Sequence, residues 1–388
     1  MTARKFAVEL DVLRGLAALL MIANHGGYRL LTAADATQGV LGASVFIGSF
    51  APVVFFFATG LGIALGAKAP NLRSVLIKAL LLIVADQLFF WRRDLPWGLD
   101  FLGFIAVSSV LVSLIAQSSR AMGLCVAGIV GLLALRYAIA PRLPVPGFDP
   151  GALEWLMGVR AVPEVSYPAS PWLVYPLLGF MAGRIYRKVD LHEPMPRNRW
   201  LAVGAAVAVA TLLAAAGLAA WGAVFHRWGT VSASYFVLSL GVLACAGLLS
   251  MVVTMVWPRI ASGLSLRGVA SFAVIPVHYA MLEAAAAIFD PPLAPWAYSL
   301  CVAGIAIACF AVSSWFSQRV SALLAGKRRA AVAWPLVVLL VACIAGAVGF
   351  GMRSPALSFI FSVVGQLAVA GLLGLRLSSS ASVPDRQR

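Results

Sequence analysis

Charge is scarce in this chain. Only 11% of its 388 residues are Asp, Glu, Lys or Arg, and 62% are hydrophobic, whereas a soluble domain averages roughly 25% charged residues. Too little polar surface is left to coat a water-soluble globule, so most of the surface must face lipid. Cysteine is sparse and unorganised. Cys125, Cys245, Cys301, Cys309 and Cys343 all sit inside apolar runs, with no CxxC pair and no Cys/His set. That argues against a disulfide framework or a zinc site, and no metal is expected. The net charge of +15 is not organised for nucleic acid either, because no basic run is interleaved with aromatics. The Lys and Arg fall instead in short loops between apolar runs, where they act as topology signals and as contacts for anionic membrane lipids.

Apolar runs of near-spanning length are what the sequence has in abundance. They predict helices near 9–25, 41–66, 74–91, 99–117, 121–140, 170–187, 200–221, 233–256, 268–289, 294–317, 332–350 and 355–376. The expected fold is all-α: a polytopic integral membrane protein of about 12 transmembrane helices. Arg4 and Lys5 followed by an apolar run mimic a signal peptide, but Asp11 and Arg14 interrupt that run and no small-residue cleavage site follows, so a retained first helix is expected. With the N-terminus inside, 19 of the 29 basic residues fall in inside segments and eight outside; Arg14 and Lys78 lie within spans. The bias puts both termini in the cytoplasm, and the expected location is the bacterial inner membrane. The longest connection, Pro141 to Ala169, is proline-dense and lies outside, either as a functional loop or as an ordered connector. No internal repeat is visible, which counts against inverted-repeat transporters.

An ionisable group within a membrane helix is costly unless paired or solvated, which singles out Asp11, Arg14, His25, Lys78, Asp86, His278 and Glu283. Arg14 and His25 are eleven residues apart, three turns plus about 20°, so they share one helix face about 16 Å apart along the axis. Asp11 is spaced to pair with Arg14. A guanidinium near the cytoplasm suits the phosphates of coenzyme A. A flexible pantetheine arm then covers much of the distance to His25, whose ordinary pKa suits general-base work. The bland alternative is that Arg14 snorkels to headgroups and His25 caps a helix end. His278 falls near mid-membrane, just after Pro276, which frees a carbonyl. Lys78 either snorkels or contacts a phosphate. Asp86 is the candidate carboxylate to orient His25. Gly60, Gly62 and Gly66 read as a close-packing face.

The stretch Leu10-Asp11-Val12-Leu13-Arg14-Gly15-Leu16-Ala17-Ala18 through His25 resembles the opening motif of the type 3 membrane acyltransferases, where an Arg and a His on the first helix are the functional pair. Phe55-Phe56-Phe57-Ala58-Thr59-Gly60 is similar to that family's aromatic, Gly-terminated second helix. Gly268-Val269-Ala270-Ser271-Phe272 through His278 is similar to its late Gly-x-x-Ser-aromatic helix, with Ile275-Pro276 as a departure. Pro171-Trp172-Leu173-Val174-Tyr175-Pro176 through Arg184, and Gly98 to Gly103, resemble more closely the heparan-alpha-glucosaminide N-acetyltransferase-like branch. The resemblance covers about residues 8–318. It implies an acyltransferase core at 1–318; the apolar runs add two transmembrane helices at 319–377, and the serine-rich composition after Leu377 reads as a disordered cytoplasmic tail at 378–388. The resemblance further implies transfer of an acyl group, often acetyl from acetyl-CoA, to a carbohydrate or lipid-linked envelope acceptor. Arg14 and Lys78 would bind the acyl-CoA, and His25, Asp86 and His278 would serve the chemistry. The rival expectation is a transporter or flippase using the same buried charges.

Overall fold

A computed structural model describes residues 7–66, 71–91, 97–142, 155–158, 164–187, 194–225, 231–325 and 329–381. The expectations for Arg4 and Lys5, for Pro144, Pro146, Pro150 and Pro163 of the long connection, and for the tail beyond Ala381 lie outside the described residues. The helices are α1 (Ala7–Leu30), α2 (Gly39–Gly48), α3 (Ala51–Leu65), α4 (Leu72–Trp91), α5 (Phe101–Ala116), α6 (Ala121–Ala134), α7 (Val174–Tyr186), α8 (Pro194–Ala220), α9 (Ala233–Val256), α10 (Pro258–Leu264), α11 (Ala270–Phe289), α12 (Pro295–Ala325), α13 (Arg329–Phe350) and α14 (Pro355–Ala381). Among the described residues, nine helical segments are long and apolar enough to cross a membrane. The protein is therefore an all-α, multi-pass integral membrane protein. Each predicted run contains a helix, but α1, α5 and α7 fall short of those nine by polarity or length.

One predicted helix, 41–66, is broken. α2 ends at Gly48 and α3 begins at Ala51. The cause is Pro52 in the first turn of α3. It has no N–H to donate to the carbonyl four residues back, and its ring favours a helix start over a helix interior.

The chain forms two compact units. The first comprises Met1–Ala17, Phe50–Ala79 and Gly98–Ser262; the second comprises Ala18–Ser49, Leu80–Trp97 and Gly263–Arg388. In the first unit α3 and α7 cross so closely that a Cβ on Gly60 would collide with the Pro176 carbonyl, and one on Gly179 with the Phe57 carbonyl. Small residues are what allow backbones to approach this far in lipid, where no hydrophobic driving force pulls helices together. Around this crossing lies an aromatic core. Phe56 packs on Phe104 with ring centroids 4.3 Å apart, and Trp172 packs edge-on against Tyr167 at 5.0 Å. Tyr175, fully buried, satisfies its hydroxyl with the Ser239 hydroxyl at 2.7 Å.

In the second unit α14 packs against α11, α12 and α13 and holds α4 by its backbone. Gln366 Nε2 donates to the Ala85 carbonyl at 2.9 Å, and Ser362 Oγ donates to the Leu88 carbonyl at 2.8 Å. Leu88 is in the last turn of α4, where carbonyls lack intrahelical donors, so the serine fills a vacancy that lipid could not. α1 contributes to both units, its Ala7–Ala17 part to the first and its Ala18–Leu30 part to the second.

The Gly60 crossing makes a stability prediction. Gly60→Val forces two backbones apart and lowers stability by about 2 kcal/mol or more, read as a drop in the melting temperature of the detergent-purified protein. Gly123→Ala, at a position with open space around the new methyl, leaves it within about 0.5 kcal/mol.

Candidate active site

α1 places its polar residues at separate levels. Arg14 Nη1 donates to Asp11 Oδ1 at 2.9 Å, one turn earlier. This is the pairing that the i, i+3 spacing predicts, and it holds a charge that is only 24% exposed. Gly62 of α3 lies beside the guanidinium: a Cβ there would sit 3.2 Å from Arg14 Nη2. Gly60 and Gly62 thus do different things, the first admitting a helix and the second making room for a cation.

Three turns along, α1 is gripped from two sides. Asn24 Nδ2 donates to the Val45 carbonyl of α2 at 2.8 Å, and Tyr298 Oη of α12 donates to the Ala23 carbonyl at 3.0 Å. A Cβ on Gly48 would press on Asn24, so α2 can approach α1 this closely only because residue 48 has no side chain. These contacts fix the turn that carries His25.

His25 Nδ1 lies 2.9 Å from Nε2 of His278 on α11. His278 is fully buried, and its own Nδ1 lies 3.1 Å from the Val274 carbonyl. The carbonyl settles the tautomers because it can only accept. His278 Nδ1 therefore carries a proton and donates to Val274. In the neutral ring His278 Nε2 is then an acceptor, and His25 Nδ1–H must be the donor to it. His25 Nε2 is left as the nitrogen with the lone pair. The chain of bonds runs from His25 to His278 to backbone and points a basic nitrogen away from the buried end.

Tyr279 covers the pair, its ring 5.0 Å from His25 and 4.2 Å from His278. Phe89 of α4 meets Tyr279 edge-on at 5.2 Å. Asp86, buried at 2% exposure, lies on the same helix three residues before Phe89. Lys78 is half-buried on the earlier part of α4, in the first unit, and has no hydrogen-bonding partner among the described residues. The structure thus brings His25 and His278 together and pairs Arg14 with Asp11. Asp86 is buried on the second unit's part of α4, and Lys78 belongs to the first unit. Among the described residues no group of three or more His, Cys, Asp or Glu comes together as a metal site would require.

Beyond the histidines, Arg29 Nη2 donates to Glu283 Oε2 at 2.7 Å. The roles of Tyr279 and of this ion pair were not foreseen from sequence. The signals available were adjacency to His278 for the tyrosine and, for Arg29, its place one turn past His25.

A part-buried histidine pair thus joins α1 to α11 within an all-α, multi-pass membrane protein. Residues 7–213 match the family described as heparan-alpha-glucosaminide N-acetyltransferase, catalytic, and the chain belongs to that family. It is accordingly an enzyme of the membrane N-acetyltransferase type. No curated protein and no solved structure matches it. The matched range includes Arg14, His25, Lys78 and Asp86; His278 lies beyond it.

The tautomer assignment can be measured. In protein with 15N-labelled histidine, whose four histidines are assigned by single His→Gln variants, His25 is expected to show a protonated Nδ1 and an unprotonated Nε2 at neutral pH. A His25 protonated at Nε2 and bare at Nδ1 would contradict the chain of bonds.

Proposed function

We propose that this protein transfers an acyl group, acetyl in the first instance, from cytoplasmic acyl-CoA to a hydroxyl or amine of a carbohydrate or lipid-linked envelope acceptor. The single observation that carries this reading is the His25–His278 pair, with a lone pair assigned to His25 Nε2, on the same helix as Arg14. Both termini are taken as cytoplasmic on the strength of the basic-residue bias, in the inner membrane of a bacterium.

Arg14 binds the phosphates of the donor. Its guanidinium is a planar fork suited to phosphate oxygens, and Asp11 occupies only one edge of it. The bare Gly62 position beside it supports this fit. His25 lies about 16 Å further along α1, a distance a pantetheine arm bridges in large part, so the thioester reaches the histidine level while the nucleotide stays near the cytoplasm. There His25 Nε2 removes the proton from the acceptor oxygen or nitrogen as that atom attacks the thioester carbonyl. The carbon–sulfur bond breaks, and the departing thiolate takes the proton back from the imidazolium. His278 acts through His25. By accepting from Nδ1–H it keeps Nε2 basic, and it shares the positive charge that develops when Nε2 is protonated. Such a positioned base contributes on the order of 10²- to 10⁴-fold. Asp86, buried on α4, is a positioning residue, and Lys78 a second phosphate contact.

The test uses purified protein in nanodiscs with labelled acetyl-CoA and a panel of sugars. His25→Ala should abolish transfer. His278→Leu should lower it about 100-fold, and His278→Gln, whose amide oxygen can still accept from Nδ1–H, should lose less. Arg14→Lys should weaken acetyl-CoA binding roughly tenfold, about 1.4 kcal/mol, measured by thermal shift. Full transfer activity in His25→Ala would sink the assignment.

A further inference from the structure

The geometry points to the Arg29–Glu283 pair as the acceptor-binding site, and we infer that the acceptor it holds is an uncharged saccharide ring. This deepens the proposed function and rests on it.

The pair sits where an acceptor must be. Arg29 follows His25 by four residues, about one turn and about 6 Å along α1, which is close to the breadth of a pyranose ring. Arg29 and His25 are offset by only about 40° around the helix, so both project from one side of α1. A ring with one substituent at the His25 level would have others at the level of the ion pair. Glu283 stands five residues past His278 on α11, so the two helices that supply the histidine pair also supply this second pair.

Exposure argues that the pair faces water. The Arg29 and Glu283 side chains are 49% and 41% exposed, and charges left open to hydrocarbon would be strongly disfavoured. A water-facing ion pair does little for stability, so its presence needs another explanation. Binding is one, and the chemistry of the pair narrows the ligand. Glu283 offers only acceptors and Arg29 only donors. Side by side they suit hydroxyls, each of which donates and accepts. The pair is also electrically neutral. An anionic sugar would meet the Glu283 carboxylate and a cationic one the Arg29 guanidinium, so an uncharged ring is favoured over either. An acceptor amine fits the same rule, since it must be unprotonated to attack.

Ligand-observed saturation-transfer NMR on the full-length protein in nanodiscs tests this without relying on catalysis. The probe is methyl α-D-glucoside at millimolar concentration. Wild type should give a saturation-transfer signal, and Arg29→Gln and Glu283→Gln should each reduce it by tenfold or more. The swapped double variant Arg29→Glu/Glu283→Arg should recover part of it. Glucuronate should compete at least tenfold more weakly than the glucoside. Melting curves for each variant establish that it is folded. A wild-type protein that gives no signal overturns the inference, as does undiminished binding in folded single variants or equal competition by glucuronate. A protein that binds the sugar through this pair yet transfers no acetyl group would overturn the proposed function and leave the binding site standing.

Discussion

A histidine cannot be buried with its nitrogens idle, and that constraint organises the second unit. His278 is shut away from solvent on α11. Inside a membrane protein no water replaces a missing partner, so each ring nitrogen must be matched locally. The Val274 carbonyl takes one and His25 takes the other. From that small requirement three things follow. α1 and α11 are joined at a defined level, the tautomer of His25 is set by a backbone atom that titration cannot alter, and the basic nitrogen is directed away from the buried partner. A carboxylate in place of His278 would also accept from Nδ1–H, but it would place a full negative charge in apolar surroundings. A neutral imidazole orients the base without that cost.

The contacts around the pair follow the same logic of replacing solvent with protein. Asn24 serves the Val45 carbonyl, Tyr298 the Ala23 carbonyl, Ser362 the Leu88 carbonyl and Gln366 the Ala85 carbonyl. All of these hydrogen bonds bring a side chain to the backbone of another helix, and together they tie α2, α12 and α14 to the helices that carry His25 and Asp86. Several hydrogen bonds and a glycine-permitted contact thus fix the geometry around the His25–His278 pair.

How much of this was legible in the sequence depends on the range of the interaction. The helical runs were legible because apolar composition over about twenty residues reports the bilayer directly. Arg14, Asp11 and His25 were legible as a set because they share one helix, where spacing alone dictates face and separation. The break between α2 and α3 was signalled by Pro52 but masked by the unbroken apolarity of residues 41–66. The contact between His25 and His278 was not legible. The two residues lie 253 positions apart, and a single sequence contains no information on which distant helices meet. Asp86 was a candidate to orient His25 on chemical grounds; the partner at His25 Nδ1 is His278. The family match ends at residue 213, so it could not supply the partner either.

α1 shows how polar side chains and membrane insertion pull against each other in one element. Glu9, Asp11, Arg14 and Arg29 make it too polar to rank with the nine helices that qualify as spans on apolarity alone. A helix with that many charges is poorly suited to hydrocarbon as an isolated segment. It is suited to a protein in which Asp11 compensates Arg14 and α2 and α12 cover the stretch around Asn24. The place of α1 in the membrane therefore depends on its neighbours.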